Sequence, residues 1–159
     1  MKKYLLLVSF LSISMFSQTY TFTNYNTSNS AIGFNSIDDI KIDNNGVLWI
    51  ASYYNNGGNG ITKFDGTNWT NYNVSNSNIA DNKIIDIEID NLNKKWLATW
   101  QNGIISFDGT NWTNFNTSNS QIPTNSINDI TIDNSNNIWI ASNQGLTKFD
   151  GTNWITYNL

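Results

Sequence analysis

The chain has 159 residues, with eight lysines, twelve acidic residues, no histidine, cysteine or arginine, and a formal net charge of −4. Without thiols or imidazoles it has no cysteine nucleophile, disulfide, zinc–thiolate site or histidine base. The acidic balance and the lack of arginine argue against binding to nucleic acid. Aromatic residues make up 14% of the sequence, which is typical of a folded chain and not of a disordered one.

The N-terminal segment has the pattern of a secretory signal peptide. Two lysines precede a short apolar run from Tyr4 to Phe16, and small or polar residues follow. This run is shorter than the roughly 20 apolar residues that a membrane-spanning helix needs. We therefore predict a signal peptide over residues 1–17 and no membrane span in the mature chain. Since the chain has no cysteine, it fits an exported bacterial protein that is periplasmic, cell-surface or extracellular.

The rest of the sequence is built from one repeat. The string Phe-Asp-Gly-Thr-Asn-Trp begins at Phe64, Phe107 and Phe149, a spacing of 43 and then 42 residues. Two more strings recur between these positions, Asp-Ile-x-Ile-Asp and a tryptophan followed by Ile-Ala or Leu-Ala. Each copy therefore has the same internal order, and the copies span about residues 35–73, 82–116 and 125–158.

Each copy predicts four short strands in chain order. The first alternates apolar and polar residues, and an Asp/Asn-rich turn leads into the second strand, which contains the tryptophan. A loop with glycine precedes the third strand, and the Asp-Gly turn connects it to the fourth. Four strands in 40 to 45 residues match a propeller blade and not a β-helix or a sandwich. We predict an all-β, propeller-type array of four-stranded antiparallel blades over residues 18–159.

The predicted ring is incomplete. Residues 20–26 repeat the fourth-strand sequence without the rest of a blade, so they predict an orphan outer strand. Three blades cannot close, because closed propellers have roughly four to eight. Either further C-terminal blades complete the ring in the natural gene product, or copies of the chain assemble to complete it.

Aromatic residues that recur in every copy are expected to serve the blade. The tryptophan of the second strand and the phenylalanine of the third should pack between neighbouring blades. We expect the middle copy to bury its tryptophan more than the two outer copies. The tryptophan of the fourth strand either packs in the same way or forms an exposed stacking platform. These structural residues are Trp49, Trp96, Trp139, Phe64, Phe107, Phe149, Trp69, Trp112 and Trp154.

Asp39, Asp86 and Asp129 are repeated acids of the innermost strand. Three carboxylates converging on a central channel could hold a hard cation. The alternative, which we favour, is that each accepts backbone N–H groups in its own blade. We therefore predict no metal and no cofactor.

A ligand site is predicted where the loops between the second and third strands meet the loops between blades. Both kinds of loop lie at one end of a four-stranded antiparallel blade, and loops carry function more often than strands do. Aromatic rings and amides suit the apolar and hydroxyl groups of a glycan, although these residue types also form ordinary turns. A protein ligand is the other option. The candidate residues are Tyr53, Tyr54, Trp100, Gln101, Asn102, Asn143 and Gln144.

Catalysis is not expected. Asp86 and Glu88 lie on the same face of their strand, so they are a possible pair of catalytic carboxylates. Asp38 and Asp39 are adjacent in a strand and point to opposite faces, so they cannot readily share a substrate. Glu88 has no counterpart in the other copies, where Lys41 and Thr131 stand. An enzyme would have to be a carboxylate-based hydrolase or lyase.

The strings over residues 125–133 and 137–146 resemble the two-component regulator propeller repeat. In that family an Ile-x-x-Asp strand is followed by a turn, by Leu-Trp-Ile-Gly-Thr and by Gly-Leu. Ala51, Ala98 and Ala141 stand here where glycine is usual. The resemblance covers all three copies and implies a sensory β-propeller of bacterial signalling proteins, often attached to a histidine kinase and linked to polysaccharide use. The expected function is ligand sensing without catalysis, and the alternatives are a surface or secreted adhesive repeat protein and a propeller lyase or hydrolase.

Overall fold

A computed structural model of the protein describes residues 21–54 and 57–157, with the side chain of Tyr54 left out. The predicted signal peptide over residues 1–17 lies outside this part of the chain. Twelve strands occur in the described residues, and no helix does. They are β1 (Asp39–Ile42), β2 (Leu48–Tyr54), β3 (Gly57–Phe64), β4 (Trp69–Tyr72), β5 (Ile84–Ile89), β6 (Lys95–Thr99), β7 (Ile104–Phe107), β8 (Trp112–Phe115), β9 (Ile127–Ile132), β10 (Ile138–Ser142), β11 (Gly145–Phe149) and β12 (Trp154–Tyr157).

The strands form three four-stranded antiparallel sheets, and each sheet keeps the order of the chain. We call them blade 1 (β1–β4), blade 2 (β5–β8) and blade 3 (β9–β12). The inner strands β1, β5 and β9 lie side by side in that order, so the blades follow one another in an open array. The predicted all-β propeller architecture of four-stranded blades in an incomplete ring is confirmed.

The turn between the two inner strands of each blade is held by an aspartate. In blade 1, the Asp43 carboxylate accepts the amides of Asn45 and Val47 at 2.9 and 3.1 Å, and its second oxygen accepts Trp49 Nε1 at 3.0 Å. The same indole-to-carboxylate bond recurs in the other blades. The turn also needs a residue with positive φ, and Gly46 supplies it here at 77°.

The described residues bury two hydrophobic clusters, one between each pair of blades. In the first, Trp49 and Tyr72 of blade 1 stack with 6.2 Å between ring centroids and pack against Phe107 of blade 2. In the second, Trp96 and Phe115 of blade 2 pack in the same way against Phe149 of blade 3. The sheets are therefore joined face to face through aromatic rings, which bury a large apolar area.

The prediction that both outer blades bury their tryptophan less than the middle blade is wrong for blade 1. Trp49 is 3% exposed and Trp96 is 5% exposed, whereas Trp139 is half-buried. The reason is direction, because each of these side chains points toward the following blade. Only Trp139 has no following blade in the described part of the chain.

The predicted orphan strand is also wrong for residues 21–26, the part of 20–26 that the structure describes. These residues form no strand. The segment nonetheless lies where the outer strand of a preceding blade would lie, since Tyr25 packs 5.5 and 5.2 Å from the rings of Phe64 and Trp69. Among the described residues no neighbouring strand pairs with its backbone, so side-chain packing alone places it.

Candidate functional site

The loops between the second and third strands meet the loops between blades at one end of the array, which we call the loop end. In blade 1, the Gly60 amide donates to the Asn82 carbonyl at 2.9 Å. In blade 2, the Trp100 amide donates to the Lys83 carbonyl at 3.1 Å, and Asn102 Nδ2 donates to Asp81 Oδ2 at 3.2 Å. The two kinds of loop therefore hold each other in place.

Gly103 makes the close approach at the loop end of blade 2 possible. Its φ is 76°, and a Cβ at this position would lie 2.1 Å from the Phe115 carbonyl oxygen. Only glycine fits both the conformation and the space. The loop that carries Trp100 is therefore placed by backbone packing, and the Trp100 side chain is left to project outward.

Tyr53 and Trp100 form an aromatic pair at the loop end. Their ring centroids are 5.8 Å apart and their planes differ by 19°. Tyr53 belongs to β2 of blade 1, and Trp100 follows β6 of blade 2, so the pair bridges two blades. The Tyr53 amide donates to Asp38 Oδ2, and Trp100 stays 43% exposed. A stacked aromatic surface held from both sides thus faces solvent.

The other predicted ligand residues lie around this pair or on the next blade. Gln101 is exposed, and Asn102 is half-buried by its bond to Asp81. Asn143 and Gln144 are exposed on the β10–β11 turn. In the described part of the chain no hydrogen bond joins these two to the Tyr53–Trp100 pair. The Tyr54 side chain lies outside the described part, although its backbone continues β2.

The repeated acids of the inner strands line up from blade to blade. Asp39 Oδ2 accepts the amide of Ile87 at 3.1 Å, and Asp86 Oδ2 accepts the amide of Ile130 at 2.9 Å. Each of these two carboxylates therefore ties its own blade to the inner strand of the next. The expectation that the amides would belong to the same blade as the acid is wrong for these bonds, because the inner strands of neighbouring blades lie side by side. Asp129, the third of the set, accepts no backbone amide from the described residues.

The acid beside this row, Glu88, has a lysine partner. Glu88 is paired with Lys41, whose Nζ lies 3.4 Å from Glu88 Oε1 and 4.0 Å from Asp39 Oδ2. Over residues 21–54 and 57–157 there is no group of three or more acidic side chains placed to hold a metal ion. Nor does any helix there have the length and apolarity needed to cross a bilayer.

The pKa of Asp86 is raised. Burial is the largest cause, and the carboxyl groups of Asp129 and Asp39 raise it further. The hydrogen bond from the Ile130 amide opposes this, and the net effect raises the pKa of Asp86 from 3.8 to about 7. Lys41 Nζ lies 4.0 Å from Asp39 Oδ2 in this row of acids.

We expect the melting temperature to fall as the pH rises from 5 to 8. Between the ordinary pKa of Asp86 and its value of about 7, the folded chain binds more protons than the unfolded chain, so stability is lost as the pH rises. Discounted for solvent screening of a half-exposed group, the loss is about 1–2 kcal/mol. Thermal melts by circular dichroism measure it.

The matched variant for this measurement is Asp86→Asn, which keeps an acceptor for the Ile130 amide and has no charge to lose. Its melting temperature should stay level over the same range. A decrease that persists in Asp86→Asn would contradict the assignment. Measurements should stay above pH 4. Hydrogen bonds to the Asp43 and Asp133 carboxylates hold their pKa values well below the ordinary range, so in stronger acid the unfolded chain binds protons that the folded chain does not, and stability falls for that separate reason.

Three partners in this geometry were missed in the sequence. Asp38 holds the Tyr53 amide, and Asp81 holds Asn102. Lys95 Nζ of blade 2 forms a buried ion pair with Asp43 Oδ2 of blade 1 at 2.9 Å. The sequence did contain a signal for Asp81, because the other copies have Phe34 and Thr124 at this position. An acid that is present in one copy alone indicates a specific contact of that copy.

Comparison with known proteins bears on the identity of the repeat. Residues 121–144, which include the turn and tryptophan strand of blade 3, match the family described as two component regulator propeller. The resemblance to the two-component regulator propeller repeat is confirmed. No curated protein matches the chain in sequence.

Solved structures show the same propeller fold. The extracellular domain described as that of a hybrid two-component system, BT3049 from B. thetaiotaomicron, is 24% identical with a TM-score of 0.72 over 86% of this chain. PorZ of Porphyromonas gingivalis, a surface component of the type-IX secretion system, is 19% identical with a TM-score of 0.67 over 87% of the chain. Virginiamycin B lyase from Staphylococcus aureus is 14% identical with a TM-score of 0.63 over 82% of the chain.

The chain spans only part of each of these proteins. It covers 19% of the BT3049 domain, 21% of PorZ and 44% of the lyase. At these identities the likeness shows the fold. The family match lies in blade 3 alone, and what the blades bind has to be argued from their own side chains.

Proposed function

We propose that this protein is an exported, non-catalytic, ligand-binding propeller of the sensory type. The regulator propeller repeat in blade 3 and the likeness to the extracellular BT3049 domain support it. The loop end supplies a surface for a ligand, while Asp39 and Asp86 accept backbone amides and Glu88 pairs with Lys41. We therefore infer that the protein binds its ligand without transforming it.

The ligand class we propose is a neutral glycan, and the Tyr53–Trp100 pair carries this proposal. The two rings lie within 19° of parallel and bridge two blades, and the indole keeps 43% of its surface exposed. Such a platform matches the apolar face of a pyranose ring. The exposed amide of Gln101 adds one acceptor and two donors for sugar hydroxyls.

Trp100→Ala should weaken glycan binding by about 1–3 kcal/mol and leave the melting temperature nearly unchanged. The indole contributes contact area to the ligand, and the loop is held by the backbone bonds of Gly103 and Trp100, which the substitution retains. Isothermal titration calorimetry with glucan, mannan and galactan oligosaccharides measures the affinity, because its signal does not depend on the indole that the variant lacks. Trp100→Phe should retain most of it.

Two control variants separate binding from folding. Phe22→Ala removes an aromatic side chain that is 96% exposed and lies away from the loop end, so it should change neither property. Trp112→Ala removes a ring stacked 4.1 Å from Phe107 and should destabilise the fold first. Loss of the fold in Trp100→Ala, or absence of binding to any oligosaccharide of the panel, would reject the glycan site.

A surface or secreted adhesive role is the second candidate. It is supported by the likeness to PorZ, which is described as a bacterial surface component. In that case Trp100→Ala would leave attachment to a partner protein unchanged. A lyase role is not proposed, because the lyase is described as inactive after a histidine-to-alanine substitution and this sequence contains no histidine.

A further inference from the structure

The same junction joins blade 1 to blade 2 and blade 2 to blade 3. The earlier blade contributes a carboxylate, which accepts an amide of the next inner strand at 3.1 Å in one junction and 2.9 Å in the other. It also contributes a stacked aromatic pair, Trp49 with Tyr72 at the first junction, which packs against a second stacked pair on the later blade, Phe107 with Trp112. We call the surface of the earlier blade the forward half of the junction and the surface of the later blade the backward half. The two halves differ in chemistry, because the carboxylate belongs to the forward half and the amide to the backward half.

The outer face of blade 3 is a forward half without a partner among the described residues. Asp129 is exposed there, while its counterpart Asp86 accepts an amide. Trp139 and Tyr157 stack with 6.0 Å between centroids, as the forward pairs of the other blades do. Leu146 is 41% exposed, although the residue at its place in blade 2, Ile104, is fully buried.

The outer face of blade 1 is the corresponding backward half. Ile40 is 55% exposed, whereas Ile87 at the same place in blade 2 is fully buried, and no carboxylate of the described residues accepts the Ile40 amide. Phe64 and Trp69 stack 4.2 Å apart, as in the backward pairs of blades 2 and 3. Among the described residues, the aromatic ring that covers them is that of Tyr25.

We propose that a second copy of this chain docks its blade 3 face onto the blade 1 face of the first, head to tail. Asp129 of one copy then accepts the Ile40 amide of the other, and the Trp139–Tyr157 pair packs on Phe64 and Trp69. With the three described blades of each copy, two copies supply six blades, and the two junctions are equivalent. Six lies within the range of closed propellers, roughly four to eight, whereas three copies would supply nine.

Docking places Tyr157 where Tyr25 now lies, so one of the two segments must move. Residues 21–26 form no strand, and Tyr25 is 44% exposed. In contrast, β12 pairs with β11 along four residues. The N-terminal segment is therefore the one displaced, and Tyr25 acts as a cap that competes with the second copy.

The new junction lacks one contact that both internal junctions share. At the internal junctions an asparagine side chain of the later turn accepts an amide of the earlier turn, Asn44 to Asn93 at 3.0 Å and Asn91 to Asn136 at 3.1 Å. Blade 1 has Gly46 at that place and cannot repeat this bond. The junction between copies is thus weaker than the internal ones, and we expect reversible assembly.

The test is the mass of the mature chain in solution by sedimentation equilibrium over a range of concentrations. The proposal expects a reversible equilibrium between one and two copies. Tyr25→Ala should tighten the dimer by about tenfold, because it removes the competing ring. Leu146→Lys should abolish the dimer, since it puts a charge at the centre of the docking face.

Leu92→Lys is the matched control, because Leu92 is 79% exposed on the β5–β6 turn and lies off both docking faces. It should assemble as the unaltered chain does, and near-ultraviolet circular dichroism should show that all variants are folded. A Tyr25→Ala chain that stays monomeric at the highest concentration would overturn the proposal, as would a dimer that survives Leu146→Lys. Polymers larger than two copies would overturn the six-bladed ring.

Discussion

Replacing Trp96 with alanine is expected to lower the free energy of unfolding by about 3–5 kcal/mol. The indole is 5% exposed and packs against Phe115 of its own blade and Phe149 of the next. Its Nε1 donates to Asp90 Oδ2 at 3.0 Å, so the substitution also removes the last donor of a buried carboxylate oxygen. Urea denaturation followed by circular dichroism measures the loss.

Trp139→Ala is the matched control for this substitution. Trp139 makes the same bond to its own turn, at 2.9 Å to Asp133 Oδ2, and stacks on Tyr157. Since no blade covers it in the described structure, its removal should cost clearly less in the monomer. Trp49→Ala should match Trp96→Ala, because Trp49 is buried in the same way between blades 1 and 2. Equal losses at all three positions would contradict packing toward the following blade.

Asp43→Ala is expected to cost about 3–5 kcal/mol as well. The carboxylate is buried and receives four donors, the amides of Asn45 and Val47, the indole of Trp49 and the ammonium of Lys95. Burial alone would raise the pKa of Asp43, but these donors outweigh it and hold the pKa well below its usual range. Without the carboxylate, the Lys95 charge keeps only the Asn93 carbonyl and the face of the Trp49 ring.

Lys95→Ile separates the turn from the ion pair. At the second junction Ile138 occupies the place of Lys95, and Asp90 occupies the place of Asp43, so an apolar neighbour of this carboxylate already exists in the chain. Lys95→Ile should therefore cost much less than Asp43→Ala, and the same denaturation curves compare them. If Lys95→Ile is as damaging as Asp43→Ala, the ion pair and not the turn holds the first junction.

The architecture could be predicted because three copies of one sequence must form three copies of one unit. The Asp-Asn turns, the alternation of the inner strands and the Asp-Gly turns are local signals, and each specifies a hairpin within a few residues. The antiparallel blades followed from them. The prediction of a strand over residues 21–26 failed because it also rested on a local signal. These residues have the sequence of a fourth strand, but a strand needs a neighbouring strand to pair with.

Contacts between blades depended on the tertiary structure. By itself the sequence determined that Asp39 has a counterpart in Asp86, that Trp49 has one in Trp96, and that Trp100 has no counterpart in the other copies. Only the packed blades decided that the carboxylates bind amides of the next blade, that each tryptophan points forward, and that Tyr53 and Trp100 stack. The repeat predicts the position of a residue within its own sheet. How two sheets pack depends on contacts between side chains more than 40 positions apart in the chain, and for such contacts the sequence has no local signal.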